Sequence, residues 1–222
     1  ARAARDPAHI TLIAISKTQP PEVIAQAAAV GLQHFGENRV EEADVKIPLL
    51  RAQVTTPLRW HMVGHIQSRK AKLVPPLFDV VHSVDNLKLA DKLAAAAQAH
   101  GQTRDVLLQM NVSGEESKSG FEASRWRQDT ALFENLAQQC AHIARMPGLN
   151  VRGLMTMAPI VADMQQARPV FASLAALRAA LSAALKLPLP DLSMGMTDDY
   201  PVAIEEGATL LRIGRALFGE RH

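Results

Sequence analysis

The chain has one cysteine, Cys140, in 222 residues. A single thiol excludes an internal disulfide framework and a cysteine-rich zinc site, so no metal is expected. It suits a reducing compartment, and the cytoplasm is the expected location. Aromatic residues make up only 4%, with one tyrosine, Tyr200. No Gly-x-Gly-x-x-Gly follows any strand candidate and there is no Walker loop, which counts against a dinucleotide-binding domain and a P-loop NTPase. Apolar runs are short. None reads as long enough to span a membrane, and no signal peptide is visible, so no membrane partner is expected. Neither sign of charge dominates, at a formal net charge of +2. The tightest basic run is Arg69, Lys70 and Lys72. So short a run reads as a solvated helix face, and no nucleic-acid partner is expected.

What is present is a strict alternation. Hydrophobic residues make up 48%, enough for one substantial core. Strand-like runs are expected at Ile10–Ser16, Gln33–Gly36, Arg59–Val63, Phe78–Ser83, Val106–Val112, Val151–Met155, Leu192–Met194 and Thr209–Arg212. Helical patterns are expected at Pro21–Val30, Val40–Ala52, Ser68–Val74, Asn86–His100, Ala123–Arg145, Met164–Leu185 and Tyr200–Glu206. A short tail follows. Asp85 is placed to cap the fourth helix and Gly101 to end it; Pro147-Gly148 and Pro188 stop the two long helices. Eight strands separated by helices argue for parallel pairing. The expected fold is α/β, a single (β/α)8 TIM barrel spanning residues 1–222, because closure leaves no exposed strand edge. A doubly wound open sheet is the rival. The opening Ala1-Arg2-Ala3-Ala4-Arg5 reads as the tail of a helix that Asp6-Pro7 breaks.

In a barrel the C-terminal strand ends share one mouth, where chemistry is held. Polar residues gather there. Lys17 ends the first strand and Glu37, Asn38 and Arg39 the second. His61, His65 and Gln67 belong to the third, and His82 and Ser83 to the fourth. Asn111, Ser113 and Lys118 follow the fifth, and Thr156 the sixth. Ser193, Gly195 and Thr197 follow the seventh, and Arg212, Gly214 and Arg215 the eighth. A lysine amine at such a site loses basicity on burial, and a neutral amine can form a Schiff base. The plainer alternative is a solvated lysine. Ser193-Met194-Gly195-Met196-Thr197 and Arg212-Ile213-Gly214-Arg215 combine small residues with donors, as a phosphate site would; two ordinary tight turns would also account for them. His61 and His65 lack further ligand partners, and read as polar lining.

Seven motifs, in register along the chain, carry a resemblance. They are Ala14-Ile15-Ser16-Lys17-Thr18, Phe35-Gly36-Glu37-Asn38, Trp60 to Ser68, Asn111-Val112 with Lys118-Ser119-Gly120, Arg152 to Met155, Ser193 to Asp199, and Arg212-Ile213-Gly214 with Phe218-Gly219. In these the chain resembles the pyridoxal-phosphate homeostasis proteins, also called the proline-synthase co-transcribed family, which look like the barrel domain of alanine racemase standing alone. The resemblance implies that Lys17 carries pyridoxal 5'-phosphate as a Schiff base. It implies that Ser193, Gly214 and Arg215 surround the phosphate, that Arg212 faces the pyridine nitrogen, and that Asn38 and His61 line the ring pocket. An arginine beside that nitrogen disfavours its protonation and leaves a weaker electron sink.

Racemisation needs a second acid–base group, which the racemases draw from a tyrosine of another domain. The expected function is therefore non-enzymatic, a monomer that binds the cofactor and supports its homeostasis and that of amino and keto acids. Apo-enzymes that depend on pyridoxal phosphate are the expected recipients. The alternatives are a single-domain amino-acid racemase and a Schiff-base aldolase without cofactor. Three departures from the family pattern stand out. Gln19 replaces a second lysine, Arg215 replaces a hydroxyl residue, and the family's N-terminal helix is not seen in the sequence.

Overall fold

A computed structural model describes residues 3–219. The elements follow in the order β1 (Thr11–Ile15), α1 (Pro21–Ala29), β2 (His34–Glu37), α2 (Val40–Gln53), β3 (Arg59–Met62), α3 (Val74–Leu77), β4 (Val80–Val84), α4 (Leu87–Ala99), β5 (Arg104–Asn111), β6 (Phe121–Glu122), α5 (Thr130–Ala144), β7 (Leu149–Met155), α6 (Arg168–Leu185), β8 (Asp191–Ser193), α7 (Tyr200–Glu205), β9 (Leu210–Ile213) and α8 (Arg215–Phe218). Three 3-10 turns precede β1, α3 and α6. Neighbouring strands run β4-β3-β2-β1-β9-β8-β7-β5, and β4 pairs with β5. That last pairing closes eight parallel strands into a (β/α)8 barrel, as expected, and rules out the open sheet. The two-residue β6 is an addition, hydrogen-bonded to β5 outside the ring.

Alternation along each strand sends side chains to two different cores. Ile13, Val80, Leu107, Met155 and Leu210 cluster inside the barrel with Ile15 beside them. Ala14, Phe35, Trp60, Met62, Val81, Val106, Leu108, Leu154 and Leu192 belong to the second core, shared with the helices. Both faces are buried, which is why the strands read as nearly continuous apolar runs. Helices α4 and α6 answer with stripes at helical spacing, Leu89-Leu93-Ala97 and Phe171-Leu174-Leu177-Leu181, all buried.

Several expectations need correction. The cap of α4 is Asn86, whose side chain accepts from Leu89 N at 2.9 Å; Asp85 pairs with His65 instead. Helix α5 begins at Thr130, seven residues later than expected, because Asp129 caps it through Leu132 N. The expected helix 68–74 is a 3-10 turn, Ser68–Leu73, that runs into α3. The tail after β9 holds a short helix, α8. Ala3–Arg5 form a turn and coil rather than a helix tail, and Ala1 and Arg2 lie outside the described residues. Met164–Leu185 is, by length and composition, apolar enough to cross a membrane, at a mean hydropathy of 1.3. The sequence reading missed this because alanines, not a continuous run of large apolar residues, raise the hydropathy. In the fold Phe171, Leu174, Leu177 and Leu181 of this segment are buried in the core shared by strands and helices.

Gly153 shows how closely the strands meet. It pairs with Asp191 between β7 and β8, and a Cβ there would overlap the Asp191 carbonyl oxygen. Gly153→Ala should therefore cost about 3 kcal/mol, the upper range for overpacking. Urea denaturation followed by circular dichroism measures it, and an unchanged midpoint would contradict this packing.

Candidate functional site

Lys17 lies two residues beyond β1, half-buried, in a turn closed by Gln19 N donating to Ser16 O at 3.0 Å. Thr18 has φ +66°, the left-handed region that a β-branched residue enters only at a cost of about 1–2 kcal/mol. Positive φ at the third residue of a hydrogen-bonded turn marks the type II geometry, usually reserved for glycine. The strain is held by contacts on both sides of the lysine. Lys46 Nζ donates to Ser16 O at 3.0 Å, and Thr18 N donates to Glu42 Oε1 at 2.6 Å. Lys46 also pairs with Glu42 at 2.7 Å and with the fully buried Glu37 at 3.0 Å; Glu37 accepts from Ser16 Oγ at 2.7 Å. Burial pushes the Glu37 carboxyl up, and Lys46 opposes that shift. So α2 grips the turn that presents Lys17.

Sequence reasoning missed Lys46 and Glu42. A signal was available: Ala43, Lys46 and Ile47 share the buried face of α2 at spacings of three and four.

On the neighbouring strand β9, Arg212 is 6% exposed. Its Nη1 donates to Ser193 Oγ at 2.5 Å and its Nη2 to Thr156 O at 2.9 Å. Burial lowers its pKa to about 10, against the pull of Asp199. The guanidinium therefore stays charged near neutral pH. Asp199 is buried, accepts from Met196 N at 2.6 Å, and has its carboxyl raised by burial.

Ser193 is fully buried, with its Oγ engaged by Arg212 and, at 2.8 Å, by His82 Nδ1. Both of these contacts are to other side chains of the barrel interior. His61, expected against the cofactor ring, is 2% exposed and bonded to His34 and His82 at 3.0 and 2.9 Å. Burial holds both His61 and His82 well below the ordinary imidazole range. The Arg215 side chain pairs with Asp198 in an exposed ion pair.

Gly214 caps α8 and lies against the end of β1, within 3.5–3.9 Å of Ile15 at its would-be Cβ. It thereby brings the start of α8 beside the end of β1, the strand that leads into the Lys17 turn. Gly195 has φ +94°, and the space a Cβ would take is filled by Ala203 and Tyr200. That glycine answers a packing demand of α7. Asn38 is half-buried and lines a cavity of about 610 Å³ with Arg39, Gly64, His65, Gln67 and Lys70. Asn111 shapes its own loop, accepting from Gly114 N and donating to Glu115 O, while Lys118 Nζ donates to Met157 O.

The alanine racemase N-terminal domain family matches residues 2–222. The pyridoxal phosphate homeostasis protein of Aquifex aeolicus is 40% identical over 220 residues, covering 99% of this chain and 91% of that protein. The chain belongs to the pyridoxal phosphate homeostasis protein family. The relative from Pseudomonas aeruginosa is 42% identical over 219 residues, covering 99% of this chain and 88% of its own length. Among solved structures, PipY of Synechococcus elongatus without PLP superposes with a TM-score of 0.86 at 36% identity, covering 98% of this chain and 96% of PipY. The PLP-bound form of PipY gives 0.83 at 35% identity, with the same coverage.

The grip on the Lys17 turn is testable as stability. Lys46→Met strands the buried Glu37 carboxylate and should cost about 3–5 kcal/mol. Lys46→Met with Glu37→Leu should recover most of that, since two apolar groups replace the buried pair. Urea melts of the three proteins decide; a double variant as unstable as the single would contradict a role centred on this pair.

Proposed function

We propose that the chain binds pyridoxal 5'-phosphate through Lys17 Nζ and holds it without turning over amino acids, in support of cofactor homeostasis. The observation that carries this reading is the pairing of a lysine on a strained, gripped turn with a buried arginine cation in one closed barrel. The residues suit the group. Bound there, the cofactor would supply an aldehyde able to capture amines and an electron-accepting ring. Arg212 stays cationic and donor-only, so a pyridine nitrogen facing it would remain unprotonated. The relative PipY, similar over nearly the whole chain, is known with PLP bound.

The phosphate assignment departs from the sequence expectation. Ser193 Oγ and the Arg215 side chain already have partners. The first N–H groups of a helix have no acceptor within it, and α8 begins at Arg215 beside the end of β1, the strand that leads into the Lys17 turn. The reading therefore gives the phosphate to main-chain donors that follow Gly214, with Asn38 on the ring side. The closed ring of strands supports a monomer, since no barrel strand offers an unpaired edge. Apo-enzymes that need the cofactor are the recipients this role implies.

Two measurements test the proposal. Main-chain hydrogen bonds to a charged group are worth about 1.5–3 kcal/mol, so pyridoxal phosphate should bind about tenfold to hundredfold more tightly than pyridoxal in an absorbance titration. Ser193→Ala should leave that ratio intact; equal affinities in the native protein would remove the phosphate site. Alanine α-proton exchange in deuterated water should stay near the rate with cofactor alone. Exchange approaching that of an alanine racemase would establish an enzyme instead.

A further inference from the structure

Four hydrogen bonds join five side chains through the interior of the barrel. Arg212 Nη1 reaches Ser193 Oγ at 2.5 Å, Ser193 Oγ meets His82 Nδ1 at 2.8 Å, His82 Nε2 meets His61 Nδ1 at 2.9 Å, and His61 Nε2 meets His34 Nδ1 at 3.0 Å. Strands β4 and β8 are not neighbours in the ring, so the His82–Ser193 bond crosses the interior. The rings of His61 and His82 meet edge to face at 5.1 Å, which is close contact throughout.

The chemistry of the end member sets the direction of the whole chain. A guanidinium can only donate. Ser193 Oγ accepts from it and, being fully buried, satisfies its one proton by donating to its other side-chain neighbour, His82 Nδ1; accepting from both would leave that proton without a partner. A neutral imidazole offers one donor and one acceptor. Accepting at Nδ1 forces the His82 proton onto Nε2, where it serves His61 Nδ1. His61 is forced in turn to carry its proton on Nε2, facing His34 Nδ1. The polarity therefore propagates from the buried cation to the half-buried His34.

We propose that His34, His61 and His82 form with Ser193 a one-directional hydrogen-bond chain of neutral Nε2–H imidazoles that fixes the orientation of the Arg212 guanidinium. His61 and His82 are then positioning residues, acting on Arg212 through Ser193. The charged groups around the chain are few. Arg212 faces His82, Arg59 faces His61 and His34, and Asp79 faces His34 with opposite sign. Both arginines disfavour imidazolium, as does burial, so a chain of neutral rings is the consistent state. Its value for holding the cofactor rests on the function proposed above. The chain itself is measured on the protein without cofactor, so failure of either leaves the other standing.

Nitrogen-15 NMR of histidine-labelled protein reads tautomers directly. Between pH 6 and 8, His61 and His82 should both appear as neutral Nε2–H rings. An Nδ1–H ring or an imidazolium at either position in that range would overturn the proposal. A second readout is the rotation of the Arg212 guanidinium, followed by its Nη resonances. His82→Gln keeps an acceptor and a donor and should preserve slow rotation; His82→Leu supplies neither and should speed rotation at least tenfold. Equal rotation in native and His82→Leu proteins would also overturn it. Should His82→Leu not fold, the native tautomers still decide.

Discussion

A guanidinium sealed inside a closed barrel is the constraint on which the rest of this structure turns. A charge taken out of water is costly unless it is paired and hydrogen-bonded. Arg212 meets that demand with Ser193 Oγ, the Thr156 carbonyl and the nearby carboxylate of Asp199. Each partner comes from a different segment, so the cation ties β9 to β7, β8 and the loop before α7. The main chain adds a further tie, from Arg212 N to Gly195 O at 3.0 Å.

The second device lies outside the ring, on the opposite side of β1. Glu37, Glu42 and Lys46 form a small ionic cluster between β2 and α2. Its main-chain contacts fall on Ser16 and Thr18, the residues that flank Lys17. Buried ion pairs are weak contributors to stability against an apolar alternative. Here the cluster has a positional use: it holds a left-handed threonine in place, and with it the turn on which the lysine is mounted. Strain of this kind persists where the surroundings over-determine it. Lysine and arginine are thus fixed by separate networks, on adjoining strands β1 and β9.

Much of the fold was legible because its signals are local. Strand runs buried on both faces, proline and glycine stops, and the alternation with helices were enough to expect a parallel barrel. Boundaries failed where a single polar side chain decided them, as Asn86 and Asp129 did. The places of Lys17, Asn38, Arg212 and Gly214 at or just beyond the C-terminal ends of β1, β2 and β9 were legible from position. The side-chain partners of His61, Ser193 and Arg215 were not, because a strand position does not say whether a polar side chain meets another polar group across the interior. Lys46 was hidden for a related reason. Its helical spacing with Ala43 and Ile47 pointed to a buried face, but its partner, Glu37, is set only when strand and helix fold together.

In the proposed function the gripped turn presents Lys17, and no other lysine, to the aldehyde of pyridoxal phosphate. Borohydride reduction of the protein with the cofactor, followed by peptide mass mapping, tests it most directly. One stoichiometric pyridoxyl label is expected on the peptide that contains Lys17, lost in Lys17→Ala. A label of equal yield on Lys46, Lys118 or a surface lysine, with Lys17 unmodified, would contradict it.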